Sequence, residues 1–186
     1  MLLFKNDIPN ALSILRIALS LVFPILIYYE LLFYAMLIFT IAALTDFFDG
    51  HLARKWKVQS SFGSKIDPLA DKILMAASYL SLYFMKWIPF YVTSIVILRD
   101  ILILSAVILC MINKISVKID PLFVSKLSTT IQIIYIVIIL SCKGFSINVP
   151  LIVDICSLIV CLSTLFSAIE YIKKYYWIKH EIQKLK

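Results

Sequence analysis

The sequence predicts an all-α integral membrane protein of about six transmembrane helices, and three observations predict it. Of its 186 residues 62% are hydrophobic and only 16% charged, where a soluble domain carries about 45–50% apolar residues. The apolar residues gather into six long runs, each near the roughly 20 residues that cross a bilayer as a helix. The basic residues, finally, collect on alternate connections between those runs. Three glycines and six prolines leave little for the turns of a β-barrel, and the runs do not alternate with period two. Six such spans use most of the chain, so residues 1–186 are expected to form one membrane domain without room for a second, soluble one.

The runs fall at about 10–28, 31–53, 62–85, 88–112, 123–142 and 149–171. Tyr28-Tyr29-Glu30 is an interfacial turn between the first two. Lys55 to Ser61 is a polar loop whose serines suit helix N-caps. Lys86-Trp87-Ile88-Pro89 is a short turn anchored by its aromatic ring, Asn113 to Pro121 a polar connection, and Lys143-Gly144-Phe145-Ser146 another. The tail, 173–186, is amphipathic and basic, with Tyr175, Tyr176 and Trp177 suited to the headgroup level.

Charge orients the bundle. The termini and the second and fourth loops hold Lys5, Arg54, Lys55, Lys57, Lys114, Lys118, Lys173, Lys174, Lys179, Lys184 and Lys186, whereas the other three loops hold only Lys86 and Lys143. Both termini and the second and fourth loops are therefore expected in the cytoplasm. The formal charge of +7 is matched by the anionic cytoplasmic lipid surface, and no nucleic-acid partner is expected. Cys110, Cys142, Cys156 and Cys161 stand singly in apolar runs and read as reduced packing residues. Met1 to Asn10 carries Lys5 and Asp7 and lacks a small-residue cleavage site, so no cleavable signal is expected.

Ionisable residues nevertheless fall inside the spans: Arg16, Asp46, Asp49, Asp67, Asp71, Lys72, Arg99, Asp100, Asp154 and Glu170. Each central charge costs roughly 2.5–3.5 kcal/mol on insertion scales, so four unpaired aspartates would cost about 10 kcal/mol. Structural ion pairs and wet helix ends account for such residues taken singly. They account poorly for the four aspartates, whose spacing is specific. Asp46, Asp49 and Gly50 share one helix face, which Ala53 extends by a turn, and Gly63, Asp67 and Asp71 form a second one-face row. A short loop makes the two helices antiparallel neighbours, so the rows can face each other at the cytoplasmic end.

Converging carboxylates without a matching set of bases call for hard divalent cations, Mg²⁺ or Mn²⁺. Gly50 and Gly63 remove side-chain bulk on the same faces and admit a ligand close to the backbone. Arg54 adds a fork of donors suited to phosphate oxygens. Metals, a phosphate clamp and close backbone approach together describe a diphosphate site.

The pattern Asp46-x-x-Asp49-Gly50-x-x-Ala53-Arg54, eight residues, Gly63-x-x-x-Asp67-x-x-x-Asp71 resembles the complete signature of the CDP-alcohol phosphatidyltransferases. The signature covers 46–71, weaker similarity runs to about residue 132, and the remainder agrees in hydropathy. The resemblance implies a six-helix enzyme that moves a phosphatidyl group from CDP-diacylglycerol to an alcohol and releases CMP, with its active site on the cytoplasmic side of a bacterial inner membrane or an equivalent organelle membrane. It implies that Asp46, Asp49 and Asp67 ligate two divalent metals, and that Asp71 completes the second metal site and acts as general base. Asp49, Gly50, Ala53 and Arg54 would line the cytidine diphosphate pocket, with Gly63 at its edge; Asn10 and Arg16 lie beyond the motif and could add contacts. The resemblance also implies a homodimer. His51, one residue off the active face, reads as interfacial.

Downstream residues bear on the acceptor. Phosphatidylglycerophosphate synthases usually show Arg-Glu in the fourth span and Gly-Lys-x-Lys-Thr in the fifth, whose bases hold glycerol 3-phosphate. This chain has Arg99-Asp100, then Ser125-Lys126-Leu127-Ser128-Thr129, keeping only Lys126 and Thr129 of the second pattern. Asp67-Pro68-Leu69-Ala70-Asp71-Lys72, Arg99-Asp100 and Val124-Ser125-Lys126 resemble the mitochondrial-type cardiolipin synthases. Phosphatidylglycerol is therefore the favoured acceptor and glycerol 3-phosphate the alternative, with Arg99 and Lys126 as acceptor contacts. A small transporter with a buried acidic site is the rival of another class. It predicts helices broken at the midplane, whereas this motif lies beside a basic loop.

Overall fold

The computed structural model describes the backbone of residues 2–56, 63–112 and 123–184 and the side chains of 13–45, 69–105 and 123–174. The described residues form six α-helices and no strand: α1 (Leu2–Tyr28), α2 (Leu32–Trp56), α3 (Gly63–Phe84), α4 (Phe90–Ile112), α5 (Phe123–Gly144) and α6 (Pro150–Lys184). Each expected run is a helix. Two reach further than hydropathy indicated, α1 back to Leu2 and α6 on to Lys184, because helical hydrogen bonding does not require apolar side chains. The end of α6 is rich in Lys, with Glu181 and Gln183, which are good helix formers in water. Lys55 and Trp56 likewise belong to α2 rather than to the loop after it. The expected loops at 57–61 and 113–121 lie outside the described residues.

The pattern of burial is that of a chain dissolved in lipid. In α1 the buried face carries Ser13, Arg16 and Ser20 before Phe23 and Ile27, while Leu21 is 65% exposed. In α6 Ser157, Thr164 and Ser167 are buried and Leu151 is 70% exposed. Water would oppose such an arrangement; lipid tails favour it, since polar groups there must find partners inside the bundle. Among the described residues, Phe123–Gly144 and Pro150–Lys174 are long and apolar enough to span a bilayer.

The chain divides into two compact units. In the first, Met1–Trp87 with Ile136–Asn148, α1 packs along α3 and α2, and α2 also touches α3. Ala35, Phe39 and Ala42 form the buried stripe of α2, and the alanines let the helix axes approach. Phe39 meets Phe23 at 5.8 Å between ring centroids, and Ala70, Leu74, Ser78 and Leu82 mark the buried face of α3. In the second unit, Ile88–Tyr135 with Val149–Lys186, α4 packs on α6.

Three helices end in the same way. After α1, Leu31 N donates to Leu26 O and Glu30 N to Ile27 O, with Glu30 at φ 55°. After α3, Trp87 N donates to Leu82 O and Lys86 N to Tyr83 O, with Lys86 at φ 58°. After α5, Ile147 N donates to Cys142 O and Ser146 N to Lys143 O, with Ser146 at φ 54°. These are Schellman caps, in which one left-handed residue satisfies the last carbonyls. Glycine is the usual occupant; here L residues adopt the conformation at some cost.

Candidate active site

The motif occupies the loop-proximal ends of two consecutive helices. Asp46, Asp49, Gly50, Ala53 and Arg54 lie on the last turns of α2, and Gly63, Asp67 and Asp71 on the first turns of α3. Helical repeat brings 46, 49, 50 and 53 to one side of α2 and 63, 67 and 71 to one side of α3. The side chains of Asp46, Asp49, Arg54 and Asp67 lie outside the described residues. Asp71 is half-buried, one residue after the fully buried Ala70. Arg16 is fully buried on α1, the helix that packs along α2 and α3.

The second unit holds a different polar cluster. Arg99, on α4, is 2% exposed. Its Nη1 donates to Asp100 Oδ1 at 2.7 Å, an ion pair between adjacent residues. Its Nη2 donates to Ser125 Oγ on α5 at 2.6 Å and to Ser167 Oγ on α6 at 2.9 Å, with the Ser125 carbonyl at 3.5 Å. Asp100 offsets the guanidinium charge and the serines disperse it, the satisfaction that a buried cation requires.

From that node a row of hydrogen bonds joins α5 to α6. Ser128 Oγ and Thr164 Oγ1 stand 3.5 Å apart, Gln132 Nε2 donates to Thr164 Oγ1 at 2.9 Å, and Tyr135 OH meets Ser157 Oγ at 2.7 Å. Ser157 gives its own proton to Val153 O at 2.7 Å, so Tyr135 is the donor in that pair. Ser125, Ser128, Gln132 and Tyr135 share one face of α5 at helical spacing. The α6 partners of the last three, Thr164 and Ser157, descend in antiparallel order.

Lys126 points away from this seam. It is exposed, while the neighbouring Ser125 is buried against Arg99. The structure thus unites Arg99 with Ser125 and Ser167, and leaves Lys126 on the outer side of α5. Of the other intramembrane charges, Glu170 pairs with Lys173 at 3.5 Å. Asp154 is exposed one turn into α6. Lys143, one of two lysines that depart from the loop-charge rule, stacks over Trp87 at 5.9 Å from the ring centroid. Cys142, Cys156 and Cys161 are free thiols.

The family model described as CDP-alcohol phosphatidyltransferase matches residues 6–169, from the first turns of α1 nearly to the end of the apolar part of α6. The chain belongs to this family. It is 32% identical to human cardiolipin synthase (CMP-forming) over 99% of its own length and 66% of the human protein. It is 31% identical to the CDP-diacylglycerol–glycerol-3-phosphate 3-phosphatidyltransferase of Rickettsia typhi, over 90% of this chain and 96% of that one. A protein of the same description from Blochmanniella floridana is 36% identical over 72% of this chain. The chain spans about two thirds or less of the animal cardiolipin synthases it matches. Family membership agrees with the inverted burial pattern: this is an all-α membrane protein.

Sequence reasoning singled out Arg99 and the α5 serines but not Ser167, Thr164 or Ser157. The spacing of polar residues at 157, 164 and 167 along one face of an otherwise apolar α6 is the signal that could have found them.

Proposed function

We propose that this protein is a phospholipid-synthesis enzyme that transfers a phosphatidyl group from CDP-diacylglycerol to a glycerol-type alcohol, releasing CMP, with phosphatidylglycerol as the acceptor. The observation that carries the reading is the complete motif at the loop-proximal ends of α2 and α3 in a chain of this family. The donor set fits the metals the family resemblance implies: it is all carboxylate, which suits hard divalent cations over softer ones. Asp46, Asp49, Asp67 and Asp71 would hold two Mg²⁺ or Mn²⁺ ions, which when bound neutralise the diphosphate and lower the barrier to attack at phosphorus.

The residues do the rest. Arg54 binds diphosphate oxygens, and Gly50, Ala53 and Gly63 leave room for the nucleotide beside the helix backbones. Asp71 takes the proton of the acceptor hydroxyl as its oxygen attacks the phosphorus that carries diacylglycerol. The new oxygen–phosphorus bond forms as the bond to the CMP oxygen breaks, and CMP departs. The motif supplies no Ser, Cys or His nucleophile, so transfer is direct. Positioning and electrostatics supply most of the acceleration. Arg99 and Lys126 are assigned to the acceptor, Arg99 as its buried contact and Lys126 at the outer edge.

Glycerol 3-phosphate is the second reading. Its support is the Rickettsia typhi relative, which this chain matches over nearly the full length of both. Purified protein with CDP-diacylglycerol, Mg²⁺ or Mn²⁺ and each acceptor in turn, products resolved by mass, decides between them. Cardiolipin as the dominant product supports the first reading; phosphatidylglycerophosphate overturns it and leaves the transferase class standing. The reading also places both termini and the site in the cytoplasm and takes the protein as a homodimer. Lys57 and Lys179 should then label from the cytoplasmic side alone, and cross-linking in the membrane should give a dimer.

A further inference from the structure

A guanidinium grips a phosphate through one of two bidentate faces, the side formed by Nε and Nη2 or the end formed by Nη1 and Nη2. Both faces need an Nη2 proton. In this protein Nη2 of Arg99 has its two protons committed, one to Ser125 Oγ at 2.6 Å and one to Ser167 Oγ at 2.9 Å, and Nη1 gives a proton to Asp100 at 2.7 Å. Nε is buried and has no hydrogen-bond partner. A cation that is 2% exposed therefore keeps two unspent protons, one on Nε and one on Nη1, which are not adjacent and form neither bidentate face.

The geometry points to Ser167, together with Ser125, as a positioning residue that makes Arg99 a single-point donor and so selects an acceptor phosphodiester over a phosphate monoester. The inference rests on the reading of Arg99 as an acceptor contact and adds the reason for its preference. A phosphodiester such as phosphatidylglycerol carries one negative charge and is met by one charge-assisted hydrogen bond. A monoester such as glycerol 3-phosphate carries nearly two at pH 7 and needs convergent, preferably bidentate, cations. Arg99 is already ion-paired with Asp100. Ser128, where the glycerol-3-phosphate pattern has a lysine, is 1% exposed against Thr164, so the seam brings no second cation from that position.

The variants Ser167→Ala and Ser167→Thr test this on the full-length protein in lipid or detergent, with CDP-diacylglycerol and either phosphatidylglycerol or glycerol 3-phosphate. Removing the hydroxyl frees one Nη2 proton. Ser167→Ala should raise kcat/KM for glycerol 3-phosphate relative to phosphatidylglycerol by about fivefold, the worth of one net hydrogen bond, and through KM rather than kcat. Ser167→Thr keeps the hydroxyl and should keep the wild-type ratio. Ser125→Ala carries the same expectation from α5 should Ser167→Ala fail to fold. Arg99→Lys, measured alongside, should raise KM for both acceptors. If Arg99→Lys leaves both acceptor KM values unchanged, Arg99 is not an acceptor contact and the underlying reading fails. If Arg99→Lys raises them while the alanine variants leave the ratio unchanged, or slow both acceptors equally, the serines are merely structural and this inference alone is overturned.

Discussion

The motif-bearing ends of α2 and α3 and the seam between α5 and α6 are both polar regions in an apolar protein, and they follow opposite rules. The first gathers like charge: four aspartates within 46–71 on two neighbouring helices. The second pairs most of its polar groups with one another, leaving Arg99 Nε as a buried donor without a hydrogen bond. Arg99 has Asp100 beside it, and the remaining partners are hydroxyls and an amide joined across α5 and α6. In a membrane an uncompensated cluster is costly and a satisfied one is cheap. Four carboxylates on two consecutive helices suit hard divalent cations, here the metals proposed above. A region that compensates itself holds helices in register and tunes a neighbouring group.

Breaking the first region should have the largest effect. Asp46→Asn or Asp67→Asn should remove divalent-cation binding and turnover together, lowering kcat by at least about a thousandfold. Metal titration and CMP release measured on the same preparation check this. Asp71→Asn should act chiefly on kcat, by roughly 10²–10⁴, while nucleotide binding is largely kept, as loss of a general base predicts. Near wild-type turnover in Asp71→Asn would remove it from that role.

The second region should fail through stability instead. Arg99→Met leaves Asp100 buried without its guanidinium and should cost about 3–5 kcal/mol, read as loss of folded protein in detergent melts. Tyr135→Phe deletes the proton given to Ser157 and should cost only about 0.5–1 kcal/mol, with kcat unchanged. If Tyr135→Phe lowered kcat tenfold at unchanged stability, the division between the two regions would be wrong. The smallest effect has the opposite sign. Glu30→Gly or Lys86→Gly relieves a left-handed L residue in a Schellman cap and should raise stability by roughly 0.5–1 kcal/mol.

Most of the fold was legible because a membrane span announces itself by length and apolarity, and the turn at Tyr28-Tyr29-Glu30 by its polarity. The motif was legible because its residues lie close together in sequence and on two helix faces. The seam was not. Tyr135 and Ser157 are 22 residues apart, Gln132 and Thr164 are 32 apart, and Arg99 and Ser167 are 68 apart. Helical periodicity tells which face Ser125, Ser128, Gln132 and Tyr135 share, but not which helix meets that face. The placement of Lys126 illustrates the limit. Sequence puts Lys126 beside Ser125, and the helical turn of about 100° between neighbours carries it to the exposed side. The helix ends were hidden for a simpler reason: hydropathy falls where α6 leaves the apolar layer, but the helix continues to Lys184.

The most direct test of the central claim, that the acidic ends of α2 and α3 carry metal-dependent transfer from CDP-diacylglycerol, is CMP release by wild type and by Asp67→Asn, each with and without divalent cation. The account predicts release by the wild type only when CDP-diacylglycerol, an alcohol acceptor and Mg²⁺ or Mn²⁺ are all present, and none above background from Asp67→Asn. CMP release that persists in chelator, or that survives Asp67→Asn at the wild-type rate, would contradict it.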